Sequence, residues 1–186
     1  MFTRGGIMKK VTHKLYKDYP NQPYISPDRD LVKWEEYPET FPYSKVEIKQ
    51  METVEDDLLP GDIIMLWRIS LNTFTNETEF PNYFEYKYGI NGDESLQKLF
   101  DKGYARVCSA SESLESVSMV VLKRIFKHRK LSTTGKKQDL IQRALGNIPE
   151  EELAKEFNLR IYRITHEGNA LLDKHFDIVK KHGPKM

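Results

Sequence analysis

The apolar positions between residues 114 and 145 follow a helical period twice, with a polar stretch between the two repeats. In the first repeat they recur at intervals of three and four residues, which places them on one face of a helix. These residues are Met119, Leu122, Ile125 and Phe126. The second repeat has similar spacing and comprises Leu140, Ile141, Ala144 and Leu145. The pattern predicts two short helices joined by a turn, each with its apolar face turned inward.

Further helices are predicted before this segment. The run from Leu58 to Ser70 begins at a Pro-Gly-Asp turn and predicts a buried helix, although so short an apolar run also fits a strand. The stretch 80–90 predicts a short helix or turn. Asn91-Gly92-Asp93 predicts another helix start with Asp93 as the N-cap. Residues 109–113 are expected to form a loop into the first basic helix.

Two stretches, 104–108 and 159–164, predict strands because apolar and polar residues alternate in them. We expect these strands to pair, with the two helices of 114–145 inserted between them in the sequence. Thr165 is expected to cap a closing helix. The predicted fold is therefore mainly α with a small β-hairpin, an α+β class with a winged-helix-like core. The alternative is a plain helical domain without a sheet.

The N-terminal residues have a different composition. Residues 1–57 contain five prolines, interleaved with Tyr16, Tyr19, Tyr24, Trp34, Tyr37, Phe41 and Tyr43. Proline at this density interrupts helices and sheets, whereas disordered linkers contain few aromatic residues. We predict an extended arm that packs on its own domain, with the clasping of a partner as the alternative.

The predicted organisation has five parts. They are an arm over 1–57, a core from 58–110 plus 158–182, a basic helix–loop–helix over 111–147, a connecting helix over 148–157, and a basic tail over 183–186.

Charge separates the helix–loop–helix from the rest of the chain. The 186 residues have a net charge of +1, yet residues 114–147 contain eight Lys or Arg and only two acids. A concentrated basic patch is typical of proteins that bind a polyanion, most often nucleic acid. The single cysteine excludes an internal disulfide and a cysteine-cluster zinc site. Without a signal peptide or a long apolar run, we expect a soluble cytoplasmic protein that does not contact a membrane.

The turn between the basic helices contains the candidate phosphate-binding residues. Gly135 permits an unusual backbone conformation and leaves room for a phosphate, and free amides at a helix N-terminus attract anions. Ser132, Thr133 and Thr134 are expected to cap the second helix through their hydroxyl oxygens. The candidate site residues are Lys123, Lys127, Ser132, Thr133, Gly135, Lys136, Lys137 and Arg143. The alternative is a solvated helical hairpin whose lysines only aid solubility.

These residues resemble the SAP domain, a helix–extended loop–helix module. The matching positions are Val117, Met119, Leu122-Lys123, Ile125-Phe126, Leu131, Ser132-Thr133-Thr134, Gly135-Lys136-Lys137, Leu140-Ile141, Arg143 and Leu145. The family usually has glycine before the loop leucine, where this chain has Lys130. The resemblance implies DNA binding, or RNA binding, with little sequence specificity, in an attachment element of a larger protein.

The flanking stretches resemble a prophage-type protein of Gram-positive bacteria. The similar pieces are Leu59-Pro60-Gly61-Asp62 with Trp67, residues 81–86 with 88–90, and Tyr162, Thr165, Gly168 and Leu171-Leu172. This second resemblance implies no biochemical activity.

Motifs of known catalytic sites are missing from the sequence. It contains no G-x-S-x-G, Walker or H-E-x-x-H motif, and its five histidines lack metal-ligand spacing. Thr134-Gly135-Lys136 lacks the upstream glycine of a phosphate loop. We therefore expect no catalytic residue, no cofactor and no metal.

The sequence is consistent with two functions. The first is a non-enzymatic nucleic-acid-binding protein of phage or mobile-element type, with DNA or RNA as partner. The second is a phage assembly protein, in which the same hairpin docks onto protein and the aromatic arm clasps a partner or a second copy.

Overall fold

The computed structural model describes residues 13–40 and 44–183 of the chain. Predictions for the start of the arm, for Phe41 and Tyr43, and for the end of the basic tail lie outside these residues. The helices are α1 (Leu31–Glu36), α2 (Pro60–Ser70), α3 (Tyr83–Tyr86), α4 (Gly92–Asp101), α5 (Ala110–Ser113), α6 (Met119–His128), α7 (Lys137–Asn147), α8 (Glu150–Glu156), α9 (His166–Lys174) and α10 (Phe176–His182). The strands are β1 (Ala105–Val107) and β2 (Tyr162–Ile164).

Helix α2 lies at the centre of the first hydrophobic core. Its apolar residues are buried around the whole circumference, and it contacts α4, β2, α9 and α10. The helix predicted from Leu58 to Ser70 is confirmed. The buried carboxylate of Asp62 accepts hydrogen bonds from the Leu59 amide at 2.8 Å and the Ser95 hydroxyl at 2.5 Å. It therefore caps α2 and ties this helix to α4.

The described part of the arm packs against this core. Tyr16, Trp34, Val46 and Met51 are buried among its residues. The Arg29 guanidinium lies 2.8 Å from a Glu85 carboxylate oxygen and faces the Trp34 ring. The described residues of the arm therefore pack on their own domain, as the sequence analysis preferred.

The two predicted strands form an antiparallel pair. Ala105 lies opposite Ile164, Arg106 opposite Arg163 and Val107 opposite Tyr162. Since α5 to α8 lie between the strands in sequence, the insertion of the basic helices into the strand pair is confirmed. The mainly α fold with a small antiparallel sheet is confirmed as well.

The inserted segment has its own hydrophobic core. Residues from α5, α6, α7 and α8 bury their apolar side chains together, and none of them belongs to the first core. Residues 148–157 were expected to form only a connecting helix. They contribute Leu153 and Phe157 to this second core. The Glu150 carboxylate accepts hydrogen bonds from the amides of Ala110 and Ser111 at 2.7 and 3.0 Å. Helix α8 is thereby joined to α5.

Some predicted boundaries are wrong, because side-chain caps override the local pattern. Residues 110–113 form a helical turn rather than a loop, since Ser109 and Glu112 cap each other reciprocally at 3.1 and 2.9 Å. The N-cap of α4 is Asn91 rather than Asp93. Thr165 caps the closing helix as predicted, but that helix is divided at His175 into α9 and α10.

Within residues 13–40 and 44–183, every helix is too short or too polar to cross a bilayer.

Candidate nucleic-acid interface

Helix α6 presents a basic face to solvent. Leu122, Ile125 and Phe126 are buried in the second core, as their spacing predicted. Lys123 and Lys127 are exposed on the opposite side of the helix. Together with Val120, Arg124 and His128 they line a shallow groove. The outer face of α6 therefore presents ammonium groups to any bound anion.

Helix α6 ends at His128, and Lys130, two residues later, adopts a left-handed backbone conformation with φ of +54°. The Leu131 amide donates to the Phe126 carbonyl at 2.8 Å, and the Lys130 amide donates to the Lys127 carbonyl at 3.2 Å. This pair of bonds is a Schellman motif, which usually has glycine at the left-handed position. Lys130, which replaces the usual SAP glycine, thus still allows the Schellman ending of the helix. It places a side chain at a position where glycine is favoured.

The loop after α6 is held by Arg143 from the second helix. One guanidinium nitrogen donates to the carbonyl oxygens of Ser132 at 2.6 Å and Thr134 at 3.0 Å. The same guanidinium lies 5.9 Å from the centre of the Phe126 ring. The half-buried Arg143 therefore fixes the loop backbone, a role that its position in the sequence did not indicate.

The predicted hydroxyl cap of α7 is wrong. The N-cap residue is Lys136, and its amide donates to the Asp139 carboxylate at 2.8 Å. The hydroxyls of Ser132 and Thr134 instead lie 2.8 Å from each other. Asp139, the third residue of α7, therefore satisfies the amide of the N-cap residue itself, whereas a serine or threonine hydroxyl would accept from an amide inside the first turn.

Gly135 has a positive φ, the unusual backbone conformation that was expected of this glycine from the sequence. Its φ is +120°, and a β-carbon there would lie 3.0 Å from Asp139 side-chain atoms. Any larger residue would therefore strain the backbone and press on the cap of α7.

The two lysines after Gly135 have different surroundings. The Lys137 ammonium donates to the carbonyl oxygen of Glu115 at 2.5 Å and so joins the start of α7 to the turn before α6. Lys136 is exposed, and its ammonium has no hydrogen bond or ion pair to any residue that the structure describes. The same holds for Lys123, Lys127 and Lys130, within the same ranges of the chain.

Helix α8 contacts two arginines of α6 and its end, and its acids neutralise one of them, Arg129. The Arg129 guanidinium contacts Glu152 at 3.0 Å and Glu156 at 2.9 Å, and these carboxylates raise its pKa. Arg124 donates to the Glu156 carbonyl at 3.1 Å. Arg129 was counted in the basic patch from the sequence, which did not reveal these partners. The positive surface is consequently smaller than the number of cations suggests.

The candidate residues thus lie in two groups. Lys123 and Lys127 lie on the outer face of α6, while the others surround the loop between α6 and α7: Ser132, Thr133, Gly135, Lys136, Lys137 and Arg143. Ser132 is exposed and Thr133 half-buried. Among the described residues no three acids, histidines or cysteines are grouped as metal ligands.

Comparison with protein families identifies this segment. The family model of the SAP domain matches residues 113–148, about a fifth of the chain, and confirms the SAP resemblance found in the sequence. The SAP domain is a nucleic-acid-binding module. Searches of the curated proteins and of the solved structures found no significant match to the chain. The winged-helix-like core therefore stays a prediction from the order of its elements.

Proposed function

We propose that the protein binds DNA through its SAP segment, with little sequence specificity and without catalysing a reaction. One observation carries this proposal. Within the SAP match, the ammonium groups of four lysines have no internal acid as a partner among the described residues, and all four are exposed: Lys123, Lys127, Lys130 and Lys136. Exposed lysines are the usual contacts to a phosphate backbone.

The loop would supply the remaining contacts. The first amides of α7 lack intrahelical acceptors. They point out of the N-terminus of the helix, where they can donate to a phosphate. The Ser132 and Thr133 hydroxyls and the Lys136 and Lys137 ammonium groups are expected to add donors. Arg143 would act mainly by holding the loop carbonyls. Contacts of this kind position a duplex but do not read its bases, hence the low specificity.

The biological setting forms part of the proposal. The stretches that flank the SAP segment support a protein of a phage or another mobile element, acting in the cytoplasm as an attachment element.

Salt dependence tests the electrostatic basis of the proposal. A labelled duplex of about 24 base pairs, titrated with protein by fluorescence anisotropy from about 50 to 200 mM NaCl, should show log affinity falling against log salt. If about three to five phosphates are neutralised, the slope should lie near −3 to about −4.5. A slope near zero would contradict the proposal. The same titration with duplex RNA distinguishes the two nucleic acids.

Charge reversal locates the interface. Replacement of Lys136 and Lys137 by glutamate should reduce the affinity for the duplex at least about tenfold and flatten the salt slope. The matched control reverses Lys180 and Lys181 of α10, which carry the same charge outside the SAP segment. Equal losses in both double variants would show attraction by overall charge rather than by this loop.

The second candidate function, assembly with a protein partner, has one observation in its favour. The apolar side chains of Leu31, Val32 and Tyr37, on and beside α1, are exposed, Val32 at 79%. Deletion of the arm is not a usable test, because Tyr16 and Trp34 belong to the first core. Val32→Glu should instead abolish self-association or partner binding in sedimentation experiments and leave DNA binding unchanged. An unchanged sedimentation profile would argue against assembly through α1.

A further inference from the structure

The outward face of the small sheet has two arginines side by side. Arg106 and Arg163 are direct partners in the β1–β2 register, so their side chains leave the same face. The opposite face contributes Ala105, Tyr162 and Ile164 to the first core. Like charges directly opposite each other destabilise an antiparallel pair. A third group is therefore needed to balance this arrangement.

Among the described residues, one of the two arginines has a carboxylate as partner and the other has none. Both oxygens of the Glu112 carboxylate contact the Arg106 guanidinium, at 2.9 and 2.6 Å. Arg163 has no ion pair or hydrogen bond through its guanidinium within residues 13–40 and 44–183, and its Nε is buried without an acceptor. The Arg106 guanidinium and the Ser109 amide lower the pKa of the Glu112 carboxyl, and the charge of Arg163 adds a smaller effect in the same direction. Among the described residues, this pair of arginines has one bound carboxylate, that of Glu112 on Arg106.

This pair adjoins the SAP segment. Glu112, which binds Arg106, lies in α5, and the Lys137 ammonium contacts the Glu115 carbonyl just after this helix. Residues 112 and 115 are separated by less than one helical turn, about 5 Å along an axis. Arg106 of the sheet and Lys137, the first residue of α7, therefore contact the same short helical segment, 110–116.

We propose that Arg163, supported by Arg106, binds a backbone phosphate of the nucleic acid held by the SAP segment. This inference rests on the proposed function and extends its interface to the sheet, outside residues 113–148. Guanidinium groups bind phosphate oxygens in a planar, bidentate geometry. Phosphates recur along each strand of a duplex about every 3.4 Å of axis, as a general property of DNA, so a duplex held at the loop presents further phosphates along its length. Glu112 holds Arg106 in place and limits the positive charge of the face.

Arg163→Gln tests the site directly. In the salt titration with the duplex of about 24 base pairs, the variant should bind roughly threefold or more weakly, and its slope should be less steep by about 0.9, the value of one phosphate contact. Lys180→Gln is the control, because it removes one positive charge from α10. It should retain the wild-type slope. Near-UV circular dichroism of each variant verifies the fold.

Glu112→Gln tests the same site in the opposite direction. Removal of the carboxylate leaves both guanidinium groups for the phosphate, so the affinity for the duplex should rise and the slope should steepen by about 0.9. The control is Glu151→Gln, which removes an exposed carboxylate of α8 that contacts no charged group among the described residues. The rise in affinity for the duplex should be clearly larger for Glu112→Gln than for this control.

The outcomes separate the two proposals. If wild-type protein binds with a steep slope but Arg163→Gln and Glu112→Gln match their controls, the sheet site is wrong and the proposed function stands. If the wild-type protein shows no salt-dependent binding, both fail. Opposite shifts in the two variants, with flat controls, support both.

Discussion

Arg143 of α7 donates a hydrogen bond of 2.6 Å to the carbonyl oxygen of Ser132, eleven residues earlier in the chain. The bond connects the second helix of the SAP segment to the loop that precedes it. A residue that the charge pattern marks as a phosphate ligand therefore also determines where the loop backbone lies.

Replacement of Arg143 separates these two roles. Arg143→Ala should lower the free energy of unfolding by about 1 kcal/mol, since two charge-assisted hydrogen bonds at a partly exposed site are lost. Amide hydrogen exchange should accelerate over residues 131–136. Urea denaturation and exchange measured by NMR test both effects. Arg143→Lys keeps the charge but not the planar group. If Arg143→Lys restores DNA binding fully, charge alone matters and the positioning role is wrong.

Replacement of Lys130 by glycine should stabilise the protein. Lys130 is left-handed with φ of +54°, a conformation that costs a residue with a β-carbon about 1 kcal/mol. Because glycine loses more backbone entropy on folding, we expect a net gain of roughly 0.5 kcal/mol and a rise in Tm of about 1–2 °C. Thermal denaturation followed by circular dichroism measures it.

The control for this substitution is Lys127→Gly, which removes the same charge inside α6. It should destabilise the protein by about 1 kcal/mol, because glycine disfavours a helix interior. A fall in Tm for Lys130→Gly would contradict the interpretation of the Schellman motif.

The contact between Arg106 and Glu112 makes stability depend on acid pH. The Arg106 guanidinium, followed by the Ser109 amide, lowers the pKa of Glu112 to about 2. Since the folded pKa is depressed, the stabilisation is present above the unfolded pKa of about 4.3 and is lost as the pH falls toward the folded pKa of about 2. The side chains are 48% and 35% exposed, so solvent screening reduces the contribution to about 1 kcal/mol or less.

Urea denaturation of Glu112→Gln at several pH values tests this prediction. The variant should be less stable than wild type at pH 7 by that amount, and the two should converge near pH 2. Glu151→Gln should be as stable as wild type at all of these pH values. A difference between wild type and Glu112→Gln that is independent of pH would show that the carboxylate charge has no part in it.

The anchor of the arm should show strong coupling between two residues. The Arg29 side chain is 2% exposed and lies 2.8 Å from Glu85, with the Tyr86 ring 4.6 Å away. Glu85→Gln leaves a buried guanidinium without its counter-charge and should cost about 3 kcal/mol of unfolding free energy. Arg29→Met combined with Glu85→Gln should cost clearly less than the sum of the single substitutions.

A double-mutant cycle in urea measures this coupling. Lys14→Met, which removes the exposed partner of Glu35, is the control and should change stability by less than about 0.5 kcal/mol. Additive effects of the Arg29 and Glu85 substitutions would show that the arm is held by packing alone.

Much of the secondary structure was predictable because its signals are local. The stripe of Leu122, Ile125 and Phe126 predicted α6, and Thr165 predicted the start of α9. The loop expected at 109–113 was wrong, since the capping box of α5 and the carboxylate of Glu150, about 40 residues later, stabilise a helical turn there. No local pattern contains that long-range contact.

The sequence by itself determined the helix–loop–helix, its SAP character and the concentration of positive charge in it, because periodicity and charge are properties of neighbouring residues. Tertiary structure alone decided which cations face solvent. Arg129 contacts the acids of α8, Arg143 contacts loop carbonyls, and Arg163 lies opposite Arg106 in the strand pair. The physical reason is that an ion pair forms between groups close in space, and folding brings these partners together from positions far apart in the chain.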